Sequence, residues 1–287
     1  MARRFLRFPN FKEKAVTLSY DDGVAQDKRL ISIMSKYGLK GTFNINAGLF
    51  GSQPTTDKGR MTKEEAYELY TSSGNEVAIH GYLHLSIAEV DSAAAVNDVI
   101  EDRKALEKLF GRVIKGMAYP NGSVSDEVVD MLKTCGVQYA RTVVSTEKFD
   151  VPTDWLRLPA TCHHANPKLM ELAKEFVEGN ESKYFWWKKP RLFYLWGHSY
   201  EFDGNTQYNN WGRIEEFCKY IGGREDIWYA TNGEIYAYVQ AYDRLEFSAD
   251  GNYVFNPSAT DVYLDYYGRE VIAKAGALTE IGETRSR

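Results

Sequence analysis

Apolar, β-prone runs alternate along the chain with stretches of helical periodicity. Residues 15–20 read as a buried strand, followed by a helix over 26–37 that stops at Gly38. Residues 41–46 form the next strand. Thr62 and Glu65 make a capping box: hydroxyl and carboxylate each satisfy a free backbone N–H of the other's end, which starts a helix running to Ser72. Strands at 76–79, 115–119 and 137–143 are separated by helices at 93–110 and 125–134, with Gly111 and Gly136 just past the helix ends. Further on come a short strand at 155–160, a helix at 167–178 and a strong strand at 192–196. A helix at 211–221, a strand at 227–230 and a helix at 234–242 complete the series. This rhythm predicts an α/β fold of parallel strands with crossover helices, and its repeat number suits a barrel better than an open sheet. From residue 245 the rhythm changes. Short strands at 245–247, 253–255 and 262–264 are separated by Asp250-Gly251-Asn252 and Asn256-Pro257-Ser258. They predict a small antiparallel appendage, dividing the chain into 1–243 and 244–287, with a charged end fraying from Thr279.

A chain of 287 residues can bury a full core. Its net charge of -5 argues against a nucleic-acid partner or an anionic membrane surface. Its 20 Tyr and 6 Trp fill cores and can also stack on sugar rings. Cys135, Cys162 and Cys218 are odd in number and form no metal-type pair, which predicts buried reduced thiols in a cytosolic protein. The basic N-terminus lacks the roughly 7–15-residue apolar stretch of a secretory signal. No run approaches the ~18 apolar residues of a membrane span. A cytoplasmic location is expected on this basis, or a secreted one if a signal has been trimmed away. Nothing in the sequence fixes the oligomeric state.

Candidate chemistry sits just past the predicted strands, at Asp21-Asp22, His80, Tyr119-Pro120-Asn121 and His198. In parallel barrels that end carries the active site. Two adjacent carboxylates and a His-x-x-x-His are the parts of a hydrolytic metal site. Zinc-type ions take imidazole nitrogen and carboxylate oxygen and keep one position open. Two His and one Asp would bind the ion, leaving the other Asp as a base. His80 and His84, four apart, would share a face on a helical turn. The bland alternative is an acidic turn with Gly23 supplying positive φ, beside structural histidines.

Ser19-Tyr20-Asp21-Asp22-Gly23 and His80-Gly81-Tyr82-Leu83-His84 resemble the first two motifs of the polysaccharide deacetylases, carbohydrate esterase family four or the NodB homology domain. Those motifs usually read Thr-Phe-Asp-Asp-Gly and His-(Ser/Thr)-x-x-His. The resemblance extends over residues 12–240 in element order. It implies a distorted (β/α)7-type barrel, an acetylated sugar substrate and a divalent metal, most often Zn2+, with Co2+, Ni2+ or Mn2+ as alternatives. Carried over, Asp22, His80 and His84 are the ligands and Asp21 the base. The third motif, usually Arg-Pro-Pro-Tyr-Gly, is here Ala118-Tyr119-Pro120-Asn121-Gly122. Its Arg, which pairs with the base, is replaced by Ala118. Either another cation substitutes, Arg141 or Arg157, or the base is tuned differently. The backbone N–H of Asn121 matches the oxyanion donor, and Tyr119 and Pro120 the substrate wall. Asp154-Trp155 is similar to the fourth motif, with Trp155 a substrate contact or else a core residue after a turn. Leu195-Trp196-Gly197-His198 resembles the fifth, making His198 the general acid and Trp196 a substrate contact, with Ser199 where Asp is common.

His163-His164 falls outside these motifs. His164 is taken as a substrate contact, against the alternative of a buried loop pair. Glu201 either orients His198, contacts substrate or is a solvated loop charge. Tyr184-Phe185-Trp186-Trp187 is packing or a sugar platform. The expected activity is metal-dependent removal of acetyl groups from a carbohydrate. The water would be deprotonated by Asp21 and the leaving amine protonated by His198. The alternatives are a cyclic amide or ureide hydrolase, and a carbohydrate-binding protein with a degraded site.

Overall fold

The computed structural model describes residues 4–53, 59–179 and 189–282; the aromatic run 184–187 lies outside them. The strands are β1 (Arg4–Arg7), β2 (Lys14–Asp21), β3 (Gly41–Ile45), β4 (Glu76–Ile79), β5 (Gly116–Ala118), β6 (Tyr139–Ser145), β7 (Leu158–Ala160), β8 (Cys162–His163), β9 (Arg191–Gly197) and β10 (Ile227–Tyr229). β11 (Glu246–Phe247), β12 (Tyr253–Phe255), β13 (Val262–Tyr266), β14 (Arg269–Ala273) and β15 (Leu278–Glu280) follow. The helices are α1 (Asp27–Lys36), α2 (Lys63–Ser72), α3 (Ser92–Phe110), α4 (Asp126–Thr134), α5 (Leu169–Glu178), α6 (Trp211–Ile221) and α7 (Asn232–Asp243).

The main sheet runs β7-β6-β5-β4-β3-β2-β9-β8 with parallel pairing, and β10 adds to the start of β2. Only Thr161 separates β7 from β8. It donates to Tyr194 O (2.8 Å) and accepts from Glu147 N–H (2.9 Å), so this one extended segment joins β6 to β9. The sheet is thereby closed as the distorted (β/α) barrel that the rhythm and the resemblance predict. Both faces of the strands are covered, so β2 and β9 read as nearly continuous buried runs. Val16, Leu18 and Tyr20 point out and pack with Leu30 and Met34 of α1, whereas Thr17, Ser19 and Asp21 point in.

α7 plugs the N-terminal end of the barrel. Asn232 N–H donates to Thr42 Oγ1 (2.9 Å), its side chain accepts from Thr17 and donates to Tyr194, and Gly233 N–H donates to Glu76 Oε2 (2.8 Å). The helix starts with a complete capping box, Thr231 with Glu234, as α2 does with Thr62 and Glu65. The sequence pattern therefore placed the start of α7 two residues late.

The appendage is two three-stranded sheets, β1-β13-β14 and β11-β12-β15. β1 is missing from the sequence expectation because its partner comes from the far end of the chain: Leu6 pairs with Leu264. Thr279 is not frayed but is paired with Val254 in β15. The three cysteines are free and buried. Among the described residues no helix is long and apolar enough to cross a membrane.

Candidate metal centre and active site

The ends of β2 and β4 bring Asp22, His80 and His84 together. Asp22 Oδ1 lies 3.7 Å from His84 Nε2 and 4.0 Å from His80 Nε2. The two rings do not meet on a helical turn. The loop after β4 turns through left-handed φ at Gly81 (76°) and His84 (59°), which sets the rings edge to face with centroids 4.8 Å apart. Asp22 itself has φ 86°, a strained value for a non-glycine and a common mark of a functional site. At Gly81 a Cβ would fall 2.4 Å from Asp98 Oδ2, so only glycine fits.

The surroundings of His80 leave one ring nitrogen open. Its Nδ1 donates to Ala118 O (2.9 Å), and a carbonyl can only accept, so the proton sits on Nδ1 and the lone pair on Nε2. That Nε2 is buried without a hydrogen-bond partner. Burial pulls the ring's pKa down to about 4, which keeps it neutral. An orphaned imidazole lone pair facing a second imidazole and a carboxylate oxygen fits a zinc-type ion.

Asp21 is 2 % exposed and lies on the inner face of β2. Arg141, from β6, grips both its oxygens through Nη2, with Oδ1 at 2.6 Å, while Nε reaches Ser19 Oγ and Nη1 Thr142 O. Asn44 adds a bond to Oδ1 (2.8 Å). Burial works to raise this carboxyl's pKa, but Arg141, followed by His80 and His198, outweighs it and holds it at about 2. The cation missing at Ala118 is thus supplied from the neighbouring strand. Arg157, the other candidate, pairs at the surface with Asp126 and Asp154.

His198 approaches Asp21 from the other side, Nε2 to Oδ2 at 3.8 Å. Its Nδ1 lies 3.2 Å from Glu201 Oε1. Burial would lower its pKa, but the Glu201 bond, with Asp21, overrides that and raises it. The other Glu201 oxygen lies 2.8 Å from His164 Nε2 and 3.2 Å from His163 Nε2. Burial of Glu201 is opposed by all three imidazoles, which hold the carboxyl far below the usual carboxylate range.

The remaining candidates are placed unevenly. Asn121 is in the turn beyond β5, at φ 55°, its side chain tied to Ser86 (3.0 Å). Pro120 is buried beside Gly81 of the loop after β4. Tyr119 faces the core with its hydroxyl donated to Leu156 O (2.7 Å), so it walls no cleft. Trp155 packs edge-on against Tyr236, near the start of β6 and at the plugged end of the barrel, far from the motif residues. Trp196 is buried against Arg141, whose guanidinium sits 4.5 Å from the indole. His164 is 1 % exposed, stacked on Tyr20 and tilted against Phe202, and so lies in the core beside Glu201 instead of facing a cleft. A Cβ at Gly197 would lie 2.1 Å from His164 Nδ1, which explains the glycine before His198.

Supporting residues went unrecognised in the sequence. Asp102 accepts from the backbone N–H groups of His80 (2.9 Å) and Ala47 (2.6 Å), and Asp98 from Leu83 (2.7 Å). Both lie on α3, four apart on its buried side, a spacing that was the available signal. Arg60 and Asn46 bond the backbone carbonyls of Asp22 and His80 and carried no local signature.

Residues 9–140 match the family model described as polysaccharide deacetylase. Poly-β-1,6-N-acetyl-D-glucosamine N-deacetylase of Staphylococcus aureus is 25% identical over 141 residues, 45% of this chain and 48% of that protein. Chitin deacetylase of Pestalotiopsis sp is 24% identical over 147 residues, 50% of this chain and 46% of that one. The matches thus span about half the length of these curated relatives. A solved structure from Mycobacterium smegmatis, assigned as a polysaccharide deacetylase, superposes with a TM-score of 0.56 at 16% identity, covering 83% of this chain and 94% of that one. At that identity the likeness is one of fold.

Proposed function

The chain belongs to the polysaccharide deacetylase family, and from that premise we propose that it is a metal-dependent hydrolase removing acetyl groups from an acetylated amino sugar or its oligomers. The observation that carries this is the orphaned lone pair of His80 beside Asp22 and His84, set next to an ionised Asp21 that also faces His198. Asp22, His80 and His84 would hold the ion. Held there, a divalent ion would supply Lewis acidity, lowering the pKa of a water from ~16 toward 7.

Asp21 is the base: Arg141 fixes its carboxylate, and it accepts the proton of the attacking water. The backbone N–H of Asn121, presented by the turn beyond β5, would donate to the acyl oxygen as it gains charge. His198 is the acid. With Glu201 on Nδ1, its Nε2 faces the Asp21 side and can deliver a proton to the departing amine, which leaves poorly unless protonated. Arg141 in place of the absent arginine at Ala118 removes the main motive for a ring-opening or purely binding role. Asp21 and His198 together serve hydrolysis and have no use in a binder.

The test is metal content together with acetate release from N-acetylglucosamine oligomers. About one equivalent of zinc or a similar ion, lost with activity in His80→Ala, is the expected outcome. A wild-type chain that takes up no ion when supplied with zinc would sink the proposal.

A further inference from the structure

We propose that Arg60, acting with Asn46, is a positioning residue of the metal centre: the pair ties the Asp22 ligand to the His80 ligand through protein alone. The inference rests on the metal role of Asp22, His80 and His84.

Asp22 closes β2 and His80 follows β4, and β3 runs between them. No covalent path of useful stiffness joins the two ligands. Arg60 comes from a segment laid antiparallel along residues 23–25: Ala25 N–H donates to Gly59 O (2.9 Å) and Met61 N–H to Gly23 O (3.3 Å). Its guanidinium then spreads in two directions. Nη2 donates to Asp22 Oδ1 (3.1 Å), and Nη1 donates to the Asp22 carbonyl and to Asn46 Oδ1 (2.9 Å). Asn46, 1 % exposed at the end of β3, passes the link on, its Nδ2 donating to the carbonyls of Gly81 (2.8 Å) and His80.

These carbonyls belong to the stretches where the chain leaves the sheet. Asp22 has φ 86° and Gly81 φ 76°, so the regular ladder stops there. Backbone groups buried at such a place need partners, and an amide and a forked guanidinium are the side chains able to serve several at once. A lysine could reach one acceptor but has no planar fork with which to bridge both.

The same contact has an opposite reading, in which Arg60 is a rival cation on the ligand oxygen and its removal tightens metal binding. The two readings differ in sign. Arg60 is 28 % exposed in its side chain, so its charge is partly screened, while the geometry it imposes is not. Loss of partners that orient metal ligands commonly costs about 10–100-fold in affinity.

The experiment is zinc affinity by chelator competition on the full chain, for wild type, Arg60→Lys, Arg60→Gln and Asn46→Ala, with the visible spectrum of the cobalt forms. About 10–100-fold weaker binding is expected for both Arg60 variants and for Asn46→Ala, together with an altered cobalt spectrum. Tighter or unchanged binding in Arg60→Gln, while wild type binds normally, overturns the inference and leaves the metal centre standing. A wild-type chain that binds neither zinc nor cobalt overturns both. Thermal melts of the metal-free proteins identify any variant that fails to fold, and affinities are then compared among those that do.

Discussion

His80 and His198 lie 3.9 and 3.8 Å from the same oxygen of Asp21, yet their surroundings make them opposite reagents. His80 donates from Nδ1 to a backbone carbonyl, is fully buried, and turns a bare lone pair toward Asp22 and His84. His198 has a carboxylate on Nδ1 and gains affinity for its second proton. Its neighbour His163 is also proton-bearing toward Glu201: Nδ1 accepts from Ala165 N–H (3.2 Å), so the proton of the neutral ring sits on Nε2. His163, His198 and Glu201 stand as close to one another as the first group does, but as donors around an acceptor. Proximity of ligand-type residues is therefore a weak criterion for a metal site; the partner on the far ring nitrogen decides.

Asp21 stands between the two groups, and its loss should be the most damaging. Asp21→Asn should lower kcat/KM by about 10³-fold while the metal stays bound. Turnover equal to wild type would remove Asp21 from the mechanism and the contrast with it.

Arg141→Met comes next. An unpaired buried carboxylate no longer held in place should cost about 10²-fold in turnover and ~3–5 kcal/mol in stability. The sign of its pH dependence follows from the lowered pKa. Asp21 at about 2, against its usual 3.8, adds stability above 3.8 that disappears as pH falls toward 2. Denaturant melts of the metal-free protein across that window should show this loss in wild type and not in Arg141→Met.

Glu201→Gln addresses the acid side. The raised pKa of His198 keeps its acid form populated to higher pH, and removing the carboxylate lowers it. The alkaline limb of the kcat/KM profile should move to lower pH, with a modest loss at the optimum. An unmoved limb would mean that Glu201 does not tune His198.

The smallest effect is expected at His163. Donors committed to Glu201 leave no place for an ion, so His163→Ala should keep the same metal content as wild type. A second equivalent bound by wild type and lost in this variant would erase the distinction between the groups.

What the sequence made legible was local. Asp21-Asp22, His80 and His84 stand at strand ends that an apolar run announces, and the barrel follows from the rhythm of such runs. Arg141 could be named only as one of two arginines, because its pairing with Asp21 spans 120 residues. Tyr119 and Trp155 were misplaced by motif position: each is an aromatic near a strand end, and nothing in one sequence tells which side of the wall it takes. Asp98 and Asp102 read as ordinary helix carboxylates, since their acceptor role depends on a loop that returns to them through left-handed turns.

The plugged floor has a consequence for traffic. With Asn232 and Gly233 bonded into the strand starts, the void beside Trp155 and Thr17 is only about 10 Å³, room for no more than a water at that point of the floor. On the proposed function, substrate and products would use the opposite end, where Asp21 and His198 stand, for both entry and exit, as in a cul-de-sac. Whatever is released last blocks the next arrival, and the order of departures becomes as much a property of the architecture as the reaction is.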